Sequence, residues 1–206
     1  MLLAVGGFVA FWAISGPSGP PAEAEQIPAT VGTAVPGVKG HLVHVGAMTA
    51  SVPVRIVIPV IHVDAPVTKL GRNANGSVQV PPLDDHNLAG WYTGSVTPGQ
   101  SGASVILGHV DSWSGGSVFY KIKELHAGDV VDVVRADGST AVFTVDGLQK
   151  APKVAFPSYS VYHDPGYPAL RLITCGGPFN ASTGEYLDNI IVYAHLTGGT
   201  GGRPPG

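Results

Sequence analysis

Short apolar segments rich in β-branched residues, separated by turn-forming residues, constrain the fold of this chain more than any other feature. Such segments lie at 54–58, 60–63, 104–107, 130–135, 141–148, 170–174 and 190–194. The Asp137-Gly138 pair between two of them is typical of a β-hairpin turn. Only residues 118–125 show a helical pattern, with Ser117 as the predicted N-cap. Many short strands between turn signals predict an all-β fold, either a closed barrel or a sandwich.

Both ends of the chain differ in composition from this strand-rich part. Residues 1–22 contain an uncharged apolar run that is shorter than the roughly 20 residues of a membrane span, which predicts a hydrophobic anchor or a signal segment. A Pro/Gly-rich linker is expected at 23–50, the folded domain at 51–197 and a disordered tail at 198–206. The protein is therefore expected on the extracellular face of a membrane, anchored by its N-terminal segment, or secreted.

Composition excludes several classes of function. Of the 206 residues, 44% are hydrophobic and 12% charged, and the net charge is −3, so the chain can build a core but has no basic excess for nucleic acid. A single cysteine excludes an internal disulfide and a thiolate-rich zinc site. Asp84, Asp85 and His86 are interpreted as a polar loop, and we expect neither a metal nor another cofactor.

The one cysteine, Cys175, stands at the end of the apolar segment 170–174 and precedes Gly176 and Gly177. A lone cysteine is commonly a small buried hydrophobic residue. An unpaired thiol in an exported chain also fits a reactive group, placed where the glycines let a ligand approach the backbone. The residues alone leave both interpretations open.

A thiol nucleophile needs a partner that transfers protons, and histidine is the usual one. Among eight histidines, His109 stands out because it follows the apolar segment 104–107 through Gly108, in a setting like that of Cys175. For any single histidine, a surface or structural role remains the common outcome.

Three motifs together resemble the bacterial sortases, most closely the class F type of high-GC Gram-positive bacteria. They are Gly-His-Val-Asp-Ser at 108–112, Leu-Arg-Leu-Ile-Thr-Cys-Gly-Gly at 170–177 and Thr-Gly-Glu-Tyr-Leu-Asp-Asn-Ile-Ile-Val-Tyr-Ala at 183–194. The resemblance covers about 54–196 and implies a closed eight-stranded β-barrel with one or two short helices.

The resemblance implies a cysteine transpeptidase. Cys175 would attack a backbone carbonyl of an LPxTG-like sorting signal in a surface protein, and His109 would exchange protons with the leaving and incoming amines. The acyl-enzyme would be transferred to an amine on a cell-wall precursor or pilin, or to water. Thr174, Gly176 and Asn189 are expected to contact the substrate.

The sequence departs from the family pattern at its third catalytic residue. Sortases usually carry an arginine on the strand after the cysteine, and none occurs here before Arg203. Arg171 lies four residues before Cys175, so both side chains share one face of a strand, about 13 Å apart at Cα. Arg171 is therefore predicted to supply the catalytic positive charge, with Asn189 as the alternative oxyanion donor.

Two other classes of protein remain as alternatives. One is another exported Cys/His enzyme, either a peptidoglycan hydrolase or an L,D-transpeptidase, although the order of His109 and Cys175 and the residues after the cysteine fit these poorly. The other is a non-catalytic β-barrel surface module, which would keep Cys175 buried and unreactive. Labelling of the native thiol by an alkylating reagent separates the second alternative from the enzymes.

Overall fold

The computed structural model describes residues 45–201, which form ten strands, one α-helix and three 3₁₀ turns. In chain order the strands are β1 (Pro53–Ile58), β2 (Val63–Leu70), β3 (Ala89–Tyr92), β4 (Gly102–Leu107), β5 (Asp111–Ser112), β6 (Gly115–Gly116), β7 (Val130–Arg135), β8 (Thr140–Pro152), β9 (Pro168–Asn180) and β10 (Glu185–Thr200). The helix α1 is Ser158–Tyr162, and the 3₁₀ turns are Pro59–Ile61, Ile122–Glu124 and Lys153–Ala155.

Eight of the strands close into a barrel in the order β1-β2-β3-β4-β9-β10-β8-β7, and β7 pairs with β1 to complete it. Strands β5 and β6 form a separate two-stranded hairpin. Most neighbours are antiparallel, but β2 pairs with β3 and β4 pairs with β9 in parallel. The predicted closed eight-stranded barrel is confirmed, and full closure leaves no exposed barrel edge.

Strands β4 and β9, which lead to His109 and Cys175, are covered on both faces. Every residue of β4 is buried, because Ile106 faces the barrel interior while Val105 and Leu107 belong to a second apolar cluster that includes Val161 of α1. Burial on both faces explains why β4 reads as a continuous apolar run rather than an alternating one. The same arrangement holds for β9, where Leu172 faces inward and Ile173 outward.

The helix predicted at 118–125 is wrong. This segment contains only the 3₁₀ turn Ile122–Glu124, with backbone bonds from Ile122 N to Phe119 O at 3.1 Å and from Leu125 N to Ile122 O at 3.2 Å. Three of its four buried residues, Phe119, Ile122 and Leu125, recur every third position, which suits the three residues per turn of a 3₁₀ helix. The α-helix lies instead at Ser158–Tyr162.

The folded unit extends beyond both expected boundaries. Met48 N donates a 2.8 Å bond to Gly99 O, and the side chains of Val45 and Met48 pack on the core. At the other end β10 continues to Thr200, because Gly198–Thr200 still pair with strand β8. Within residues 45–201 no helix is long and apolar enough to cross a membrane. The predicted anchor or signal segment and most of the predicted linker lie outside the described residues.

Candidate active site

Two neighbouring parallel strands bring His109 and Cys175 to one edge of the barrel. Leu107 at the end of β4 is in register with Ile173 of β9, and Gly108 N donates a 3.1 Å bond to Ile173 O. His109 lies two residues beyond Leu107, and Cys175 lies two beyond Ile173. Adjacent strands are about 4.8 Å apart, so this register places the two residues side by side.

A cavity of about 400 Å³ opens at this edge, and His109 and Cys175 both line it. Its remaining walls are Leu83, Val110, Asp111, Ser112, Trp113, Lys153, Phe179, Gly184, Glu185 and Tyr186. Of the histidines in the described range, only His109 lines the cavity, whereas His86 binds the hydroxyls of Ser112 and Ser114. A second cavity of about 280 Å³ reaches Cys175 from the side of Gly176 and Gly177.

The hydrogen bond of His109 sets its tautomer. Nε2 lies 2.8 Å from the carbonyl oxygen of Pro81, which can only accept, so Nε2 carries the proton. The neutral ring therefore presents Nδ1 as the nitrogen that accepts a proton. Pro81 belongs to the β2–β3 connection, so this long loop helps to hold the imidazole in place.

Burial raises the pKa of the Cys175 thiol above its ordinary value. The charge of Lys153 and a hydrogen bond from its ammonium group act in the opposite direction, while the carboxylates of Asp111 and Glu185 raise the pKa further. Desolvation is the largest of these effects, so the resting residue is predominantly a neutral thiol at neutral pH. A bound substrate or a proton acceptor must shift the equilibrium from thiol to thiolate before Cys175 can attack.

Asp111 does not pair with His109, although it follows that residue by two positions. Its carboxylate accepts a hydrogen bond from the hydroxyl of Tyr186 on β10. This bond raises the pKa of Tyr186 to about 12. The Asp111–Tyr186 pair thus joins the β5–β6 hairpin to β10 across the cavity that contains the thiol.

The structure places Arg171 away from the cavity, in contrast to its predicted role. Its guanidinium donates to the backbone oxygens of Leu170 at 3.1 Å and Ser160 at 3.4 Å, and lies 4.7 Å from the centre of the Tyr193 ring. The side chain is buried, and it lines neither cavity at Cys175. Arg171 lies on the same face of β9 as Cys175, as the alternation of side chains predicted, but that face is the outer one, where helix α1 covers Arg171 and accepts a bond from its guanidinium.

The three predicted substrate-binding residues are separated. Thr174 and Gly176 line the smaller cavity together with Cys175. Asn189 is in register with Cys175 on the neighbouring strand β10, but it is 2% exposed and lines neither cavity. Asn189 Oδ1 and Thr174 Oγ1 are both buried and have no hydrogen-bond partner in the structure.

Sequence reasoning missed most of the cavity wall. Glu185 and Tyr186 lie in the motif at 183–194 but were given no role, and Lys153 lies in a segment that carries no motif. Only the pairing of β8 with β10 brings Lys153 to the cavity at the thiol. Trp113 offered a signal that could have been used. It lies four residues after His109 in the polar segment 111–116, and its side chain is 80% exposed.

Comparison with known proteins agrees with this geometry. The family model for the Sortase domain matches residues 56–197, which is more than half of the chain and includes both strands that position the site. No curated protein matches the chain in sequence.

Solved sortase structures share the fold. Sortase C-1 from Actinomyces oris is 26% identical, with a TM-score of 0.55, and the match covers 71% of this chain and 75% of that one. Sortase A from Corynebacterium diphtheriae is 20% identical, with a TM-score of 0.55, covering 77% of this chain and 65% of that one. Sortase C-1 from Streptococcus pneumoniae is 22% identical, with a TM-score of 0.53 and coverages of 69% and 65%. The last two therefore match over just under two thirds of their own length. Because the family model spans the barrel and both catalytic strands, we conclude that this chain belongs to the sortase family of cysteine transpeptidases.

Proposed function

We propose that this sortase cleaves an LPxTG-like sorting signal at its Thr–Gly bond and transfers the acyl group to an amine on a cell-wall precursor or pilin. The observation that supports it is the register of β4 and β9, which places the single thiol and the His109 ring together in one cavity. The class F type stays a prediction that rests on the sequence motifs.

The chemistry proceeds in two acyl transfers. The Cys175 thiol first passes its proton to Nδ1 of His109. The resulting thiolate attacks the carbonyl carbon, the C–S bond forms, and the carbonyl π electrons move to the oxygen. When this intermediate collapses, the C=O bond re-forms, the C–N bond breaks and the leaving amine takes the proton from His109. An amine then attacks the thioester and the C–S bond breaks. The proton of the amine passes through His109 to the released thiolate, which regenerates the thiol.

The cavity wall suits a short peptide with apolar leading residues. Trp113 and Phe179 line it and are 80% and 56% exposed, and Phe179 packs edge-on against Tyr186 with ring centres 5.2 Å apart. Aromatic faces next to a few polar groups are typical of ligand sites. We assign this rim to the Leu-Pro part of the signal.

The test is to trap the acyl-enzyme. The full chain is incubated with an LPxTG peptide, and intact-mass spectrometry looks for the protein plus the acyl fragment on Cys175. Adding hydroxylamine should release the fragment as a hydroxamate, which shows that a thioester holds it on the enzyme. Cys175→Ala should form no adduct while keeping the thermal unfolding midpoint near that of the parent. An adduct in Cys175→Ala, or none in the parent with any sorting peptide, would contradict the proposal.

We also propose that the protein acts on the outer face of the membrane, either anchored by residues 1–22 or secreted. The apolar composition of that segment supports the idea. Fractionation of expressing cells, with protease added outside, is the measurement. A protein found in the cytoplasm and protected from protease would overturn it.

A further inference from the structure

The thiolate and the oxyanion of a sortase site are both anions that a nearby cation would stabilise. No arginine among residues 45–201 lines either cavity at Cys175. Each has a partner elsewhere: Arg55 the carboxylate of Asp64, Arg72 the hydroxyl of Tyr92, Arg135 the carbonyl of Thr49, and Arg171 the carbonyl of Leu170. A cationic side chain at this site would therefore have to be a residue other than arginine.

Lys153 reaches the site through three adjacent strands. Cys175 of β9 is in register with Asn189 of β10, and Asn189 is in register with Ala151 of β8. The chain then turns at Pro152 into the 3₁₀ turn Lys153–Ala155. Lys153 is half-buried there, and its side chain lines the same cavity as Cys175 and His109. It is the one ammonium group on that wall within the described part of the chain.

The ammonium group of Lys153 shares a cavity with the thiol. Its charge and its side-chain hydrogen bond both lower the pKa of the Cys175 thiol, against the effect of burial. Lys150, three residues earlier, does not line that cavity, because its Nζ lies 3.8 Å from Asp188 and its side chain is 64% exposed.

We propose that Lys153 is the catalytic cation of this site and takes the role for which the sequence offered Arg171. Before attack, an N–H of its Nζ donates to the Cys175 sulfur and stabilises the thiolate. When the C–S bond forms and the carbonyl electrons move to oxygen, the same ammonium stabilises the oxyanion. This inference rests on the proposed acyl-transfer function.

A lysine can fill this position because its ammonium is a compact charge with three donors on a flexible stem. It can follow the negative charge from sulfur to oxygen without the planar fork of an arginine. Arginine at the same position would keep the charge but present a larger, flat group inside the cavity.

The experiment compares three variants of the full chain, Lys153→Met, Lys153→Arg and Lys150→Met. Lys150→Met is the matched control, because it removes an ammonium group three residues away that is paired with Asp188. The first readout needs no substrate and is the pH dependence of alkylation of Cys175 by iodoacetamide. The titratable and charged groups that line the two cavities at the thiol in this readout are His109, Asp111, Tyr120, Lys123, Lys153, Glu185 and Tyr186.

In Lys153→Met we expect the midpoint of the alkylation profile to rise by about one pH unit, because an opposite charge near the thiol is lost. The second readout is kcat/KM with the sorting peptide, which should fall about 10²–10³-fold. Lys153→Arg should keep the parent's alkylation midpoint and recover kcat/KM in part. Lys150→Met should change neither readout by more than about twofold.

The proposal is overturned if Lys153→Met keeps the parent's alkylation profile, or if its kcat/KM falls less than tenfold. It is equally overturned if Lys150→Met reproduces the effects of Lys153→Met. Circular dichroism of each variant identifies unfolding, and recovery in Lys153→Arg shows that the charge matters rather than packing. A parent enzyme that acts on no peptide contradicts the proposed function instead, while the alkylation profiles still decide whether Lys153 acts on the thiol.

Discussion

Burial and the charge of Lys153 act in opposite directions on the pKa of the Cys175 thiol. Desolvation disfavours the thiolate, and the carboxylates of Asp111 and Glu185 disfavour it further, while Lys153 favours it. A raised pKa means that the thiolate appears at a higher pH than in an unstructured cysteine, whose pKa is about 8.5. Reactivity at this residue therefore depends on a few charged side chains that can be changed one at a time.

Asp111→Asn tests how far a nearby carboxylate raises the pKa of Cys175. The substitution removes a negative charge but leaves an oxygen that can accept the bond from Tyr186. We expect the pKa of Cys175 to fall by about 0.5–1, so alkylation at pH 7 becomes about 3–10-fold faster. The pKa of Tyr186 should also fall from about 12 towards 10, which ultraviolet titration measures.

Asp129→Asn is the control for this change, because Asp129 lines neither cavity and caps the backbone N–H of His126. It should leave the alkylation rate within about twofold of the parent's. Slower alkylation in Asp111→Asn would show that the carboxylate does not oppose thiolate formation.

At the scale of secondary structure, the parallel pair β4–β9 carries the site, while helix α1 covers its outer face. Both faces of these strands are buried, and their carboxyl ends bring His109 and Cys175 to one cavity. Arg171 belongs to the covered face, where it joins β9 to α1 and to the Tyr193 ring. Burial lowers the pKa of its guanidinium, but every contact described here uses the charged form.

Arg171→Met therefore separates stability from catalysis. Losing two hydrogen bonds and the contact with Tyr193 at a buried position should lower the free energy of unfolding by about 1–3 kcal/mol, measured in urea. We expect kcat/KM to stay within about threefold of the parent's, because Arg171 lines neither cavity.

The matched control is Arg55→Met, which breaks an exposed ion pair with Asp64 and should leave the free energy of unfolding close to that of the parent. If Arg171→Met instead lowered kcat/KM a hundredfold at unchanged stability, Arg171 would act on catalysis after all, and its structural role would be refuted.

On the scale of the whole molecule, the barrel depends on chain segments outside 51–197. The fully buried Arg135 donates to the carbonyl of Thr49, and Met48 packs on the core beside Gly99 and Gly199. At the other end, Gly198–Thr200 extend the longest strand pair of the barrel. From these contacts we expect residues 45–200, rather than 51–197, to unfold as one cooperative unit.

A comparison of trimmed proteins tests this boundary. A chain of residues 45–201 should unfold in urea with nearly the same free energy as the full chain. A chain of residues 51–197 should lose at least about 2 kcal/mol, because Arg135 loses its carbonyl partner and a Met-sized apolar surface becomes exposed. Equal stability of the two trimmed chains would show that the outer segments contribute nothing.

The sequence by itself determined the class of fold and the two central residues of the site. Short segments rich in β-branched residues are stable when they pair into a sheet whose apolar faces are covered. Cys175 and His109 could be found because each follows directly from a buried strand, so local sequence already places it at a strand end. Their proton-transfer and nucleophile roles still rest on family resemblance and on the proposed experiments.

Only the tertiary structure decided which cation lies beside the thiol. The alternation of side chains along a strand correctly placed Arg171 and Cys175 on one face of β9. This alternation carries no information about what covers that face, and α1 covers Arg171. Lys153 is 22 residues from Cys175 in sequence and reaches it only through the pairing of β8 with β10 and of β10 with β9. Electrostatic effects depend on distance in space, and in a closed barrel that distance is set by strand order and register rather than by position along the chain.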